Sequence, residues 1–108
     1  MALAPQEPNK SKMKLTLDHF KRFEKQIIIK KIGIAGQKKI LSSSVLVIGV
    51  GGLGCPLITY LAGSGIGKIG IVDFDKVELS NLNRQSLFEI NDIGKFKVDR
   101  AKNKIIKI

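Results

Sequence analysis

The chain has 108 residues, of which 44% are hydrophobic, and its single cysteine excludes an internal disulfide and a C-x-x-C zinc pair within this sequence. No apolar run approaches the roughly 18 residues of a membrane span, so the composition predicts at most one soluble domain and no membrane association. The formal net charge of +10 comes from scattered lysines without interleaved aromatic residues, which favours solvated basic faces over a nucleic-acid surface.

The N-terminal segment "MALAPQEPNKSKMK" contains charges and small residues but no apolar core of a secretory signal. We therefore expect residues 1–16 to be a disordered lead-in and the protein to be cytoplasmic. The next segment, "LTLDHFKRFEKQIII", predicts a helix with one apolar face. Its apolar residues recur at helical spacing: Leu17, Phe20, Phe23, Ile27 and Ile28.

A short helix is predicted from about Gln37 in "GIAGQKKILSSS", and it ends in a serine-rich turn. "VLVIG" follows as a strand that is apolar throughout, as expected for a parallel strand covered on both faces. The segment "CPLITYLAGSG" predicts a helix with Pro56 in its first turn, Cys55 buried at its start and Gly65 as its C-terminal cap. "KIGIVDFD" predicts a second strand that ends in two aspartates.

A long connection, "VELSNLNRQSLFEINDIG", leads to "KFKVDRAKNKIIKI", a basic amphipathic helix that continues to the end of the sequence. The pattern is a βαβ unit preceded by a helical arm. It predicts an α/β protein with the beginning of a Rossmann-like nucleotide-binding fold, a mostly parallel sheet with flanking helices.

The stretch "VLVIGVGGLGCP" places a glycine-rich turn between a strand and a helix, the arrangement that brings a nucleotide's phosphates against bare backbone. The turn glycines are Gly49, Gly51, Gly52 and Gly54. Asp73 ends the second strand about 20 residues later, where a carboxylate accepts hydrogen bonds from a ribose diol. To this point the pattern fits an NAD-dependent dehydrogenase and an ATP-using enzyme equally.

Two cations favour nucleotide transfer over hydride transfer. Arg84 follows Asp73 in "SNLNRQ", and Lys97 stands at the start of the next predicted helix. Negative charge accumulates on phosphate oxygens and on departing pyrophosphate, and fixed Lys or Arg groups stabilise it. Either residue alone would read as an ordinary surface cation, but with the glycine turn and Asp73 they indicate phosphate chemistry.

The sequence resembles the ThiF/MoeB/HesA adenylyltransferases, which are related to ubiquitin-activating enzymes. The matching segments are "KQIII", "VLVIGVGGLGCP", "IVDFDKVELSNLNRQSLF" and "DIGKFKVDRA", in order from about Phe20 to the C-terminus. The resemblance implies that the protein uses ATP and Mg²⁺ to adenylate the C-terminal glycine of a small ubiquitin-like sulfur carrier that ends in Gly-Gly. This reaction belongs to molybdenum cofactor or thiamine biosynthesis. A sulfur nucleophile then attacks the acyl-adenylate.

The resemblance also implies roles for individual residues. Gly52 and the other turn glycines would lie against the phosphates, Asp73 would bind the ribose, and Lys97 would approach the α-phosphate. Arg84 would contact the phosphates, and the segment before it would line the nucleotide site: Ser80, Asn81, Leu82 and Asn83. Family members are homodimers in which an arginine of the N-terminal segment enters the partner subunit's site. Lys25 takes that position here, and it keeps the charge without the bidentate fork.

The family's magnesium-binding aspartate and zinc-binding C-x-x-C pairs have no counterpart in this sequence, so no metal ligand is assigned. We interpret residues 17–108 as the N-terminal part of an adenylation domain and expect the fragment to be inactive alone. Three alternatives stay open: an NAD(P)-binding oxidoreductase domain, the branch of the family that dehydrates a modified adenosine in transfer RNA, and a non-catalytic remnant or interaction module.

Overall fold

The computed structural model describes residues 13–108 and the backbone of Ala2–Leu3. The rest of the predicted lead-in lies outside the described residues. Ala2–Leu3 forms β1, a two-residue strand that pairs antiparallel with a later strand through Ala2 opposite Ile71 and Leu3 opposite Gly70. None of the described helices is both long enough and apolar enough to cross a bilayer.

The predicted N-terminal helix is divided into α1 (Leu17–Arg22) and α2 (Glu24–Ile27), which meet at Phe23. Thr16 caps α1, because its hydroxyl accepts from the His19 amide while the His19 ring accepts from the Thr16 amide. The prediction of one continuous helix is wrong, because the helix is interrupted at Phe23. Phe23 is buried, whereas Leu17, Phe20 and Ile28 are exposed. Because of this break the Phe23 ring points into the protein and does not line up with the other apolar side chains of the predicted face.

Helix α3 spans Gly33–Leu41 and therefore begins four residues before the predicted start at Gln37. Strand β2 (Ser44–Ile48), helix α4 (Gly54–Ser64) and strand β3 (Lys68–Val72) form the expected βαβ unit. The C-terminal cap of α4 is Gly65, in the left-handed region at φ 99° as predicted. Its position is tight, because a Cβ there would lie 2.8 Å from the Phe23 ring.

Strands β2 and β3 pair in parallel from Ser44 opposite Lys68 to Ile48 opposite Val72, and the sheet order is β1-β3-β2. One face of the pair packs on α4 and on α5 (Lys97–Ile105). The main core residues are Val47, Val50, Cys55, Ile58, Ile69, Ile71, Val77, Leu87, Phe88, Ala101 and Ile105. The predicted α/β fold of Rossmann type is confirmed.

The opposite face of β2 is open, which corrects the prediction that this strand is covered on both sides. Leu46 is 55% exposed and Ile48 is 79% exposed, although both are large apolar residues. Their side chains share this face with Gly70 and Val72 of β3, according to the parallel register. Within the described residues, an apolar surface therefore lies on the outer side of the sheet.

The long connection after β3 contains two short 3-10 turns, Leu79–Asn81 and Ile90–Asp92. Asp92 is buried and accepts hydrogen bonds from the Glu89 amide and from Arg100 Nε, each at 2.8 Å. Burial favours the neutral acid, but the Glu89 amide and the Arg100 guanidinium together hold the pKa of Asp92 below its usual range. This pair of a buried carboxylate and a partly exposed guanidinium ties the connection to α5.

Candidate nucleotide site

The glycine turn joins β2 to α4 and requires glycine at two of its positions. Gly49 has φ 96°, a left-handed conformation that L side chains rarely adopt, and its amide donates to Val72 O at 2.7 Å. A Cβ on Gly54 would lie 2.1 Å from the Gly49 carbonyl oxygen, a distance no real side chain tolerates. The first turn of α4 therefore approaches the end of β2 as closely as backbone allows.

Asp73 follows β3 directly and binds the glycine turn. Its Oδ2 accepts from the Val50 amide at 2.8 Å, and its Oδ1 accepts from the Asp75 amide at 2.7 Å. Each carboxylate oxygen has a second lone pair, so both remain able to accept from a ligand hydroxyl. Asp73 thus closes a turn at the end of its own strand through the Asp75 amide and is bound directly to the glycine turn through the Val50 amide.

A cavity of about 250 Å³ opens where β2 and β3 end. Ligands of open α/β sheets bind outside the carboxyl ends of the strands, which is where this cavity lies. It is lined by Ile48, Gly49, Val72, Asp73, Phe74 and Asp75.

Arg84 lies over the glycine turn. Its Cγ and Cδ are each 3.7 Å from the point where a Cβ on Gly52 would stand. The guanidinium is exposed and is steered by its own segment, because Arg84 Nη1 donates to Ser80 O at 3.0 Å and to Asn83 Oδ1 at 3.1 Å. The structure therefore places this cation beside the backbone that the sequence predicts to hold phosphates.

The residues just before Arg84 mainly stabilise the local fold. Asn81 is buried, and its Oδ1 accepts from the Glu78 amide at 2.9 Å, which closes the 3-10 turn. Leu82 packs at the edge of the core, while Ser80 and Asn83 are exposed beside Arg84. Of this group, Ser80 and Asn83 orient the guanidinium directly.

Lys97 begins α5 as predicted, but it is not a solvated helix residue, since only 5% of it is exposed. Its amide donates to Asp75 O at 3.0 Å, which ties the helix start to the end of β3. Within residues 13–108 the ion pairs join Arg100 to Asp92 and Lys104 to Glu89, and neither involves Lys97. A lysine whose stem is buried and whose ammonium is not engaged by a carboxylate is suited to an anionic ligand.

Cys55 lies in the first turn of α4. The thiol is fully buried, as predicted, and donates to Val50 O at 3.9 Å. Burial raises the pKa of Cys55, the Leu87 backbone and the charge of Lys97 oppose that rise, and Asp73 adds to it. Lys97 and Asp73 therefore both lie close enough to Cys55 to act on it electrostatically.

Lys25 is not brought to the glycine turn of its own chain. Its neighbour Gln26 donates from Nε2 to Gln37 Oε1 at 2.7 Å and to Ser64 O at 3.1 Å, at the C-terminal end of α4. The glycine turn lies at the other end of this 11-residue helix, about 16 Å away. Lys25 is exposed there, remote from the glycine turn of its own chain.

Sequence reasoning did not identify Gln85, Gln37 or Asp92 as important. All three are polar residues that the fold buries. Gln85 stands next to Arg84 in "NRQ", and this position beside a predicted site residue was the feature of the sequence that could have identified it. The hydrogen bond between Gln26 and Gln37 joins positions 11 residues apart, and the Asp92–Arg100 ion pair joins positions 8 residues apart. No local sequence pattern predicts either of them.

The model of the ThiF family matches residues 23–108. The chain belongs to the ThiF family. It is 50% identical over 101 residues to an adenylyltransferase and sulfurtransferase of Kluyveromyces lactis, a match that covers 93% of this chain and 23% of that protein. It is also 50% identical over 93 residues to a probable molybdopterin-synthase adenylyltransferase of Porphyra purpurea, covering 86% of this chain and 24% of that one. The chain thus spans about a quarter of these relatives.

Solved structures of similar proteins confirm the fold. PaaA superposes with a TM-score of 0.77 at 36% identity, covering 86% of this chain and 31% of that chain. E. coli MccB solved with ATP gives a TM-score of 0.65 at 41% identity, covering 66% and 21%. The E. coli tRNA N6-threonylcarbamoyladenosine dehydratase gives 0.77 at 26% identity, covering 85% and 37%. The family therefore includes a member solved with ATP and a member named for modifying transfer RNA.

Proposed function

We propose that this ThiF-family chain supplies the nucleotide-binding part of an enzyme that uses ATP to adenylate a small ubiquitin-like sulfur carrier at its C-terminal Gly-Gly. The observation that carries the proposal is the contact of Arg84 with the glycine turn at Gly52. The adenylyltransferase names of relatives at 50% identity support it. The name of the Porphyra relative favours molybdenum cofactor biosynthesis over the thiamine pathway as the setting.

In the proposed reaction a carboxylate oxygen of the carrier's terminal glycine attacks the α-phosphorus of ATP. The bond between that phosphorus and the oxygen bridging to the β-phosphate breaks, and pyrophosphate leaves with the electron pair. The product is a carrier acyl-adenylate, which a sulfur nucleophile attacks later. Negative charge grows on the phosphate oxygens and on the leaving group during this step.

The described residues divide this work among them. The backbone of Gly49–Gly54 lies against the phosphates, and Asp73 accepts from the ribose hydroxyls while it anchors the turn through Val50. Arg84 and Lys97 stabilise the charge that develops at the α-phosphate and on pyrophosphate. Because Arg84 is exposed and Lys97 is buried, Arg84 is suited to the outer phosphates and Lys97 to the inner side of the site.

We further propose that the complete protein is a homodimer in which Lys25 of one subunit reaches the nucleotide of the other. The remote position of Lys25 in its own chain supports this arrangement. ATP is expected to bind as its Mg²⁺ complex. Residues 13–108 contain no group of three or more potential metal ligands, so they do not fit a Mg²⁺ or Zn²⁺ site and we derive no step through either metal. A cytoplasmic location is also part of the proposal.

The two catalytic alternatives are less well supported. In an NAD(P)-dependent oxidoreductase, Arg84 and Lys97 would have no role in the reaction. The match to the ThiF family also does not favour this alternative. The transfer-RNA dehydratase is a relative at 26% identity, compared with 50% for the adenylyltransferases.

The proposal is tested by isotope exchange between pyrophosphate and ATP with the full-length protein and a purified carrier ending in Gly-Gly. We expect exchange only when the carrier is present, and none with a carrier that lacks its terminal glycine. A protein that modifies transfer RNA and shows no carrier-dependent exchange would refute the proposal.

A further inference from the structure

Two glutamine side chains join the N-terminal segment to the end of α4. Gln26 Nε2 donates to Gln37 Oε1 at 2.7 Å and to Ser64 O at 3.1 Å, and Gln37 Nε2 donates to the same carbonyl at 3.1 Å. We call these three groups the amide cluster. Gln37 is completely buried and Gln26 is half-buried, so the cluster is largely shielded from water. Hydrogen bonds in such surroundings are stronger than those at the surface.

Ser64 O is a suitable anchor because it belongs to the last residue of α4. The last four carbonyls of a helix lack partners within the helix and carry the negative end of its dipole. The two glutamine donors occupy both lone pairs of Ser64 O. The amide cluster therefore satisfies a carbonyl that the helix leaves unpaired, and it needs both glutamines to do so.

A second contact fixes the same segment three residues earlier. Phe23 is 4% exposed, and its ring lies against Gly65, where an added Cβ would stand 2.8 Å from Phe23 Cζ. The Gln26 amide donates to Phe23 O at 2.9 Å, so both anchors belong to one helical turn. Residues three positions apart lie on the same side of a helix. Phe23 and Gln26 therefore both face the end of α4.

Lys25 stands between these anchors and is exposed. A step of one residue turns a helix by about 100°, so the Lys25 side chain leaves the surface that Phe23 and Gln26 hold against α4. Neither ion pair within residues 13–108 involves its ammonium. The backbone of Lys25 is thus fixed while its charge is available to another molecule.

We propose that Gln26 and Gln37 are positioning residues for Lys25. By holding the segment Glu24–Ile27 on the end of α4, the amide cluster sets the place from which the Lys25 ammonium reaches the nucleotide of the partner subunit. The inference rests on the proposed homodimer and on the proposed reaction for the identity of that nucleotide. It requires no carrier, because the position of Lys25 depends on the fold and on bound nucleotide alone.

The first test uses an ATP analogue that carries an acyl group on its γ-phosphate. A lysine amine close to that phosphate attacks the acyl carbon and loses a proton, the bond from that carbon to the phosphate oxygen breaks, and ATP leaves. The lysine keeps the acyl group as an amide, which peptide mass spectrometry detects in the full-length protein. We expect acylation of Lys25 that excess ATP suppresses, and Gln26→Met and Gln37→Met should each lower it severalfold.

Two controls accompany this labelling. Lys31 is an exposed lysine outside the proposed contact, and any acylation of it should not respond to excess ATP. Ile58→Val removes one buried methyl group from the core and lowers stability without touching the amide cluster. Acylation of Lys25 should be unchanged in this variant.

The second test is a double-mutant cycle with carrier-dependent exchange as the readout. Gln26→Met should lower kcat between about tenfold and a hundredfold with little change in the KM for ATP, because it displaces a charged group without removing it. In a Lys25→Ala background, Gln26→Met should have almost no further effect on kcat but should still lower the Tm. A merely structural role for Gln26 would lower kcat in both backgrounds.

The outcomes separate this inference from the proposed function. Equal acylation of Lys25 in wild type and Gln26→Met, or no ATP-suppressed acylation in the wild type, would overturn the inference and leave adenylation to be judged by exchange. Equal losses of kcat from Gln26→Met in both backgrounds would also overturn it. Acylation of Lys25 that depends on Gln26, in a protein without carrier-dependent exchange, would support the positioning and refute the proposed reaction. Should Gln26→Met not fold, Gln26→Asn replaces it with the same expected results, since its amide is one methylene too short to reach Ser64 O.

Discussion

The Asp73 carboxylate accepts a hydrogen bond from the Val50 amide at 2.8 Å, so the end of β3 fixes the loop that follows β2. One side chain thereby serves both the fold of the turn and the proposed ribose contact. The second carboxylate oxygen holds the Asp75 amide at 2.7 Å, which prevents the side chain from rotating away. Asp73 is therefore ordered before any ligand arrives.

Replacing Asp73 should weaken nucleotide binding. We expect Asp73→Ala to reduce the free energy of ATP binding by about 1–3 kcal/mol, because a charged hydrogen bond to the ribose and the anchor of the turn are both lost. Calorimetric titration of the full-length protein measures this directly. Asp99→Asn, which removes a charge from an exposed position of α5, is the control and should leave affinity unchanged. Unaltered affinity in Asp73→Ala would remove this residue from the site.

Gly54→Ala should disrupt the glycine turn. The added Cβ would lie 2.1 Å from the Gly49 carbonyl oxygen, which is backbone and cannot move without displacing β2 or α4. We expect a loss of about 3 kcal/mol in the free energy of unfolding together with a marked loss of ATP affinity. Gly63→Ala lies on the same helix where a Cβ meets nothing within 4 Å, and it should be neutral or stabilising. Equal behaviour of the two variants in thermal unfolding would contradict the geometry.

Arg84→Met and Lys97→Met should affect chemistry more than binding. In the proposed reaction both cations stabilise charge that develops as pyrophosphate leaves, so each variant should lower kcat for exchange at least tenfold more than it raises the Kd for ATP. Arg84→Lys should recover only part of the rate, because a point charge lacks the guanidinium fork. Lys102→Met, farther along α5, controls for the change in net charge. Equal losses in ATP affinity and in the exchange rate would show that these residues only bind ATP in the ground state.

The Asp92–Arg100 pair should make stability depend on pH. The pKa of Asp92 is lower in the folded protein than in the unfolded chain, so its contribution is complete above about pH 4 and is lost as pH falls through the folded-state pKa. The difference in urea stability between wild type and Asp92→Asn should therefore be largest near neutral pH and shrink in acid. A difference that stays constant between about pH 6 and pH 3 would show that the Asp92 charge contributes nothing.

Residues 1–108 expressed alone should associate or fold incompletely. Leu46 and Ile48 present an apolar face on the outer side of the sheet, and exposed faces of this kind promote aggregation. We expect strong binding of the dye ANS, concentration-dependent sedimentation and no exchange activity. Leu46→Lys with Ile48→Lys should reduce dye binding, because it makes that face polar. A monomer with a cooperative transition and no dye binding would contradict this expectation.

The sequence predicted the positions of those secondary-structure boundaries that depend on local patterns. The glycine turn, the strand end at Asp73 and the helix start at Lys97 each depend on a short pattern of strand, turn or helix residues. The left-handed Gly65 cap follows the same logic. The roles assigned to these residues in catalysis stay predictions.

The parts that depend on packing between distant segments were missed. The break at Phe23 arises because its ring packs against Gly65, 42 positions later, and this overrides the regular helical stripe. Whether β2 is covered on one face or two depends on which elements lie beside it, and its apolar sequence is the same in both cases. The burial of Lys97 was likewise not predicted, because the sequence of α5 alone does not show which elements pack against its start.

Carrier-dependent exchange of labelled pyrophosphate into ATP tests the central claim most directly. In the full-length protein we expect exchange that requires a carrier with an intact C-terminal Gly-Gly, that Arg84→Met and Lys97→Met each reduce strongly, and that Lys102→Met leaves unchanged. Exchange that proceeds equally well without the carrier, or that survives removal of both Arg84 and Lys97, would contradict the account.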